Sequence, residues 1–382
     1  MTGLLRIGVN ALFLIPEGVG GTEIYIRNLL AALAEIDDHN QYFVFLSAEA
    51  AAAAAPVTPS AANFHEVRCA VRATNRPARL LWEQLSLPAK VAALRLNVLF
   101  SPGFTSPWFT PGCPKVTCIH DLQHMRQPQN FGVFELAAWR ALVWISARFS
   151  RQIITVSENS RRDILQIYRL PASRVEVVKH GVEPVFWQLR SHPAADGRPL
   201  PAPYLLSVST IHPHKNWGRW LEAYGKLAAE GWPHHLVIAG LRGKYSEQLA
   251  RVIESQGLTD RVHLTGWLSR VELLSFFRFA DGLVFPSTFE GFGMPVLEAM
   301  AAGIPVACSD IPPLRETAGD AALFFDPYSV DSIAEAVRKL VGEPELRRQL
   351  VEQGLAAAAA FSWTRAAEQT LAILRRAASR AD

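Results

Sequence analysis

The chain has 382 residues, 49% hydrophobic and 19% charged, a balance that excludes disorder over most of its length and allows two or three domains. The net charge is +3, and no uncharged apolar run reaches the roughly 18 residues of a spanning helix. The first residues, with one Arg and then an alternating apolar run, do not have the make-up of a signal peptide.

The first half alternates strands and helices. LRIGVNALFL is a strand. GGTEIYIRNLLAALAEI is an amphipathic helix, with Ile24, Leu29, Leu30, Leu33 and Ile36 near helical spacing. QYFVFLS is a strand, and the alanine run AEAAAAAAP reads as helix and loop. NVLFSPG, KVTCIHD, RQIITVSEN and VEVVKHG are further short strands. Residues 188–203 (QLRSHPAADGRPLPAP) lack an apolar period and read as a linker. The alternation then restarts with the strand YLLSVST and the helix NWGRWLEAYGKLAAEG. HHLVIAG, RVHLTGW, GLVFP, IPVACS and AALFFD follow as strands, with helical patterns between them. Two strand–helix series imply an α/β protein of two doubly wound, Rossmann-like domains. The expected bounds are 1–187 for the first domain, 188–203 for the linker and 204–360 for the second domain, with a final Arg-rich helix over 361–382.

The residues that carry chemistry cluster after strands. EGFGMPVLEAMAAGIPV (290–306) follows GLVFPS. Pro295 suits the first turn of a helix, where its missing N–H costs nothing. Glu290 then lies in the preceding loop and Glu298 about one turn inside. Gly291 and Gly293 allow close backbone approach, and the amides of Met294, Val296 and Leu297 can meet an anion. Two carboxylates beside that cradle should face a neutral, hydroxylated group such as a sugar. Gly20 and Gly21 form a turn between a strand and a helix, though not a GxGxxG. Lys215, in STIHPHKN (209–216), is a candidate clamp for a leaving diphosphate.

Other signals point away from chemistry. Ser157 reads as an N-cap, since no GxSxG elbow surrounds it. Four cysteines (Cys69, Cys113, Cys118 and Cys308) without a CxxC pair give neither a disulfide framework nor a zinc set, and fit a reducing, cytoplasmic address. The histidines of 212–235 show no metal-ligand pairing on a helix face.

Taken together, the EGFGMPVLE stretch, the Gly-Gly turn, the HD after KVTCI and SENSRRD (157–163) carry a family likeness. The sequence resembles the retaining, nucleotide-sugar-dependent glycosyltransferases of the GT-B fold over nearly its whole length. The resemblance implies two domains facing a cleft, with the last helix packing back on the first domain. It implies that Glu290 contacts donor-sugar hydroxyls with the backbone of Phe292, Gly293 and Met294, and that Glu298 holds the ribose hydroxyls. Lys215 would bind the diphosphate, with Thr210 and Asn216 beside it and Gly20 and Gly21 closing over it. His120 would line the donor sugar, and the base would lie near Gly266, Trp267 and Leu268. The resemblance implies no divalent metal and no cofactor, the nucleotide-sugar being a substrate.

Many members have Gly-Arg before the Lys. Here Ser209 and Thr210 stand there, and a hydroxyl does not replace a guanidinium; His214 or Arg242 is left to supply charge. In KHGVE, His180 stands where Asn is commoner and is taken as structural. STIHPHKN and HDLQHMRQP look like mannosyltransferases of surface-polysaccharide assembly, so GDP-mannose is the first expectation for the donor and UDP-sugars the second. The acceptor is a saccharide or a lipid-linked one. A sugar-nucleotide epimerase of the same fold is the alternative enzyme, and a sugar-binding protein with a dead cleft the alternative without catalysis.

Residues 1–190 hold 19 Lys and Arg against 14 acids, and residues 191–382 hold 19 against 21. That asymmetry is too small for nucleic acid but allows a basic face toward anionic lipid. Residues 68–95 hold six basic residues and one acid, Glu83, around Leu80, Leu81, Trp82, Leu85 and Leu87. The segment predicts a peripheral contact with the inner face of the plasma membrane, driven by charge.

Overall fold

The structure is a computed structural model that describes residues 3–16, 20–189, 197–201, 203–240 and 245–379. It consists of two compact units, Met1–Gly181 with Ser362–Asp382, and Val182–Phe361.

Among the described residues the first unit has a seven-stranded sheet. Its strands are β1 (Arg6–Ala11), β2 (Gln41–Leu46), β3 (Phe64–Arg68), β4 (Val98–Ser101), β5 (Lys115–Cys118), β6 (Gln152–Thr155) and β7 (Val175–Val177). Their order is β3-β2-β1-β4-β5-β6-β7. Every pairing is parallel, with Ile7 of β1 set between Tyr42 and Val98. Parallel strands need crossover helices, which cover both faces and make the strands continuously apolar. On one face the helix Gly21–Ile36 packs Ile26, Leu29 and Leu33 with Ala367, Leu371 and Leu374 of the helix Trp363–Ser379. The C-terminal helix thus returns to the first unit, as expected. The other face takes the helix Arg76–Ala93 through Leu87 and Val91, and the helix Val133–Phe149 through Val143 and Ala147. The alternation of Ile153 and Ile154 between the two cores marks the faces.

The second unit has six described strands: β8 (Tyr204–Val208), β9 (His235–Ala239), β10 (Val262–Gly266), β11 (Gly282–Phe285), β12 (Val306–Ser309) and β13 (Leu323–Phe325). They run parallel in the order β10-β9-β8-β11-β12-β13. Trp220, Leu221 and Tyr224 of the helix Trp217–Ala229 pack with Val337 and Leu340 of the helix Val330–Gly342 in its core. The architecture is the expected pair of doubly wound units.

Three local features differ from the sequence expectation. The edge strand β3 was not foreseen, because only Phe64 of FHEVR is buried, with His65 and Val67 half-buried. The alanine run is helical only over Ala48–Ala51. The first unit ends at Gly181 and not at 187: the helix Pro184–Gln188 belongs to the second unit, where buried Phe186 meets Phe277 at 5.1 Å. Of the expected linker, residues 190–196 and 202 lie outside the described residues. Among the described residues no helix is long and apolar enough to cross a membrane.

Candidate active site

The strand order reverses between β1 and β4 in the first unit and between β8 and β11 in the second. At such points the loops leaving the strand C-termini diverge and leave a crevice. Lys215 ends the turn Pro213–Lys215 after β8, and Glu290 lies in the loop after β11. Separated by 75 residues in sequence, Lys215 Nζ and Glu290 Oε1 are 2.6 Å apart. The amide and hydroxyl of Thr288 both donate to the His214 carbonyl, at 2.7 and 3.1 Å, and fasten the two loops together. Lys215 Nζ also lies 5.6 Å from the centre of the Phe285 ring.

Neighbouring candidates take supporting places. Asn216 caps the helix Trp217–Ala229 at φ +60°. Its Nδ2 donates to the Pro327 carbonyl at 2.7 Å and its Oδ1 accepts from Arg219 at 3.1 Å. Its side chain therefore anchors the turn that carries Lys215. Burial, with Lys215 and His212 nearby, drives the His214 pKa far below its usual value. A neutral imidazole does not replace the missing guanidinium, and the other substitute, Arg242, lies outside the described residues. Thr210 is half-buried beyond β8, where a Cβ on Gly240 would stand 2.1 Å from the Ser209 carbonyl oxygen.

The helix Met294–Ala301 begins as its sequence predicts. Gly293 is its N-cap at φ +103°, Pro295 lies in its first turn, and a Cβ on Gly293 would meet Leu314 at 2.5 Å. The amide cradle is smaller than expected. Val296 and Leu297 both donate to the Gly293 carbonyl, at 3.0 and 3.3 Å, so their amides close the first turn and only Met294 of the three is left to meet an anion. Phe292 is fixed from two sides, its carbonyl accepting from Thr317 at 2.8 Å and its ring meeting Phe361 at 5.8 Å.

Glu298 is buried. Its burial raises its pKa to about 8; Arg270 opposes the rise and Glu183 adds to it. Arg270 Nη1 is 3.9 Å from Glu298 Oε1, its Nη2 donates to Glu183 Oε1, and its guanidinium covers the Phe186 ring at 4.8 Å. Sequence reasoning missed Arg270. The available signal was that a carboxylate one turn inside a buried helix needs a cation, and Arg270 opens the helix after the β10 loop. Gly266 ends β10 at φ +73°, its carbonyl accepting from Gly240 at 3.0 Å, and that loop holds exposed Trp267 and half-buried Leu268. Ser269 and Glu272 form a capping box there, so the loop assigned to the base leads directly into the Arg270–Glu298 contact.

In the first unit Gly20 caps the helix Gly21–Ile36 at φ +61° and ψ −131°, a conformation reserved for glycine, and a Cβ placed on it would meet no atom within 4 Å. Among the described residues, nothing stands against the approach of a ligand to this turn. His120 is enclosed by Tyr25, Phe104 and His180 at ring-centre distances of 4.9, 5.1 and 5.7 Å. Its Nε2 lies 2.9 Å from the Pro102 carbonyl, which only accepts, so the proton sits on Nε2 and Nδ1 faces the Cys118 thiol at 3.8 Å. Burial pushes its pKa down to about 4, and the ring is neutral. It is thus built for packing and polarity, not for carrying charge. Ser157 accepts from the Ser160 amide at 3.1 Å and is an N-cap. Among the described residues no group of three or more His, Cys, Asp or Glu is placed to hold a metal ion.

Comparisons with known proteins agree with the fold of the two units. Residues 19–186 match the family described as Glycosyltransferase Family 4, and residues 190–356 match Glycosyl transferases group 1. The chain is 29% identical over 266 residues to O-antigen chain mannosyltransferase B of Escherichia coli, covering 67% of this chain and 68% of that protein. It is 29% identical over 282 residues to the serotype-specific mannosyltransferase WbdA of the same organism, covering 70% of this chain and about a third, 33%, of that longer protein. In fold it is similar to sucrose-phosphate synthase from Thermosynechococcus elongatus, with a TM-score of 0.78 at 19% identity over 97% of this chain and 98% of that one. Two glycosyltransferase family models thus match in succession across both units, and the chain is a glycosyltransferase of the GT-B fold.

Proposed function

We propose that this enzyme transfers mannose from GDP-mannose to a saccharide, free or lipid-linked, with retention of the anomeric configuration. The observation that carries the proposal is the Lys215–Glu290 pair at the switch point of the second unit, a cation and a carboxylate 2.6 Å apart. The cation answers the charge that accumulates on a leaving diphosphate, and the carboxylate answers sugar hydroxyls. Both E. coli relatives above are named mannosyltransferases, which supports the choice of sugar.

In this reading Lys215 and the Met294 amide meet the diphosphate, Glu298 holds the ribose, and Gly266 to Leu268 border the base. The C1–O bond to the diphosphate breaks through an oxocarbenium-like state while the acceptor oxygen bonds to C1 from the same face. The acceptor hydroxyl's proton leaves with the departing diphosphate. Gly20 and Gly21 give backbone access to the donor, and neutral His120 supports the sugar side. No metal takes part, the positive charge coming from the protein, and the enzyme works at the inner face of the plasma membrane.

A thermal-shift panel of GDP-, UDP- and ADP-sugars tests this reading. A donor at 100 times its dissociation constant should add about 2.7 kcal/mol of stability. Stabilisation by UDP-glucose without stabilisation by GDP-mannose would replace the proposed donor, and epimerised donor without transfer would replace the proposed reaction.

A further inference from the structure

The helix Val133–Phe149 (VFELAAWRALVWISARF) contains one acid, Glu135, and two arginines, Arg140 and Arg148. Its inner side packs on the sheet through Val143, Ser146 and Ala147. Its outer side is also apolar. Val133 and Phe134 are 81% and 91% exposed, Trp144 is half exposed, and Ala137, Ala138 and Ala141 fill the face between them. A helix that is apolar all round is ordinarily enclosed all round. The helix Val330–Gly342 of the second unit shows the ordinary case, with Glu335 and Lys339 paired on its outer side and Arg338 reaching Glu230.

The apolar face continues beyond this helix. Arg76, at the start of the helix Arg76–Ala93, pairs with Glu135 at 3.2 Å and covers the Trp139 ring at 5.1 Å, so the two helices meet at their starts. Leu81 and Leu85 of that neighbour are exposed. Gln84 Oε1 accepts from the Trp108 amide at 2.8 Å. Lys115 Nζ donates to the Trp108 carbonyl at 2.8 Å and lies 6.0 Å from the Phe149 ring. Trp108, Phe109 and Phe149 are about half exposed, and Phe149 meets Trp144 edge-on at 6.5 Å. Leucine, tryptophan and phenylalanine side chains thus form one band across two helices and the loop between them.

The charges of residues 68–95 are mostly matched within the fold: Arg68 with Glu66, Arg72 with Glu49 and Arg76 with Glu135, while Arg79 is buried near Glu83. A contact driven by that segment's charge alone is therefore weaker than its sequence suggests. On the apolar band, Arg140 and Arg148 are exposed, and the acid Glu135 already has Arg76.

We infer that this band docks on an anionic lipid bilayer, with Phe134, Trp144 and Trp108 in the interfacial layer and Arg140 and Arg148 on the headgroups. A bilayer fits better than a protein partner because large side chains stand apart along about 25 Å of helix, separated by alanines, with exposed Arg140 and Arg148 beside them. Aromatic rings flanked by arginines are the side chains that settle at a lipid interface. Crossover helices run antiparallel to their strands, so Val133 and Phe134 lie toward the sheet edge that carries Gly20 and His120. A lipid-linked acceptor would then emerge beside that edge. The inference does not depend on the donor, and its failure is distinguishable from failure of the proposed reaction.

The test is co-sedimentation of the full chain with vesicles of phosphatidylcholine alone and with added phosphatidylglycerol, beside donor-sugar thermal shift as a folding control. Wild type should pellet with the anionic vesicles. Phe134→Ser with Trp144→Ser should lower partitioning by at least about tenfold, equivalent to about 1.4 kcal/mol, with Tm and donor shift retained. Arg140→Gln with Arg148→Gln should lower it on anionic vesicles only. Absence of wild type from both pellets at low salt, or unchanged partitioning of the Phe134/Trp144 variant, would overturn the inference. So would a wild-type dimer in sedimentation velocity that this variant converts to monomer, since a second copy of the chain would then cover the face.

Discussion

Lys215 and Glu290 form an ion pair across the switch point of the second sheet, each delivered by the loop of one of the two strands between which the order reverses. Both side chains are largely sheltered, with exposures of 14% and 13%. Lys215→Ala and Glu290→Ala should each lower kcat by about 10²-fold, as loss of a preorganised polar contact does. Each should also lower Tm by leaving its partner unmatched, and the double variant should lose less than the sum of the two. Wild-type kcat in both single variants would remove this pair from the site.

The second prediction concerns pH. Burial raises Glu298 to about 8, so the folded protein holds a proton there that the unfolded chain releases near the ordinary carboxyl value. The stability linked to that proton is complete below the unfolded pKa and is lost as pH rises through about 8. Glu298→Gln lacks this loss. The Tm difference between Glu298→Gln and wild type should therefore move in the variant's favour between pH 5 and about pH 8.5. Movement the other way would show that Arg270 keeps Glu298 ionised. Arg270→Ala should chiefly raise the donor KM, because it leaves Glu183 and Glu298 without their shared cation.

In the proposed reading, Lys215 and the start of the helix Met294–Ala301 supply the charge that meets the leaving diphosphate, and activity should then persist in EDTA. Initial rates before and after chelation, with Mn²⁺ or Mg²⁺ restored, check this. A strict requirement recovered on re-addition would show that a cation, and not Lys215 alone, balances the leaving group.

The strands other than β3 were legible because parallel strands covered on two faces read as continuous apolar runs, as VLFS of β4 and VACS of β12 do. The helix start at Pro295 was legible because Gly293 and Pro295 have backbone requirements of their own. What was not legible depends on contacts between distant residues. The residues Lys215 and Glu290 were identifiable separately, but their pairing needs β8 and β11 side by side. Arg270 gave no motif, and its role follows only from Glu298 and Glu183 converging on it. The amides of Val296 and Leu297 looked available because a helix start leaves donors free, whereas a tight first turn returns both to Gly293. The basic segment 68–95 looked like a charged surface because sequence does not show Glu49, Glu66 and Glu135 folding against it.

The last prediction concerns the place where the chain leaves the first unit and returns to it. Gly181 ends the first stretch of that unit, and Ser362 begins the second. A Cβ on Gly181 would stand 2.2 Å from the Trp363 amide nitrogen and 2.6 Å from the Ser362 carbonyl carbon. These are backbone atoms, so the crowding is not relieved by turning a side chain. Trp363 is also held by the ring contacts of Tyr25 and His180, at 6.0 and 5.6 Å, which limits its retreat. Gly181→Ala should therefore cost about 1–3 kcal/mol, the usual range for overpacking. That corresponds to a fall in Tm of about 2–4 °C per kcal/mol for a unit of about 200 residues. Gly132→Ala is the matched control, since its φ is −66° and no atom lies within 4 Å of the added carbon. It should be neutral or slightly stabilising. Differential scanning calorimetry of the two variants and wild type decides the matter: equal Tm values for Gly181→Ala and Gly132→Ala would show that the return segment is free to move away from Gly181.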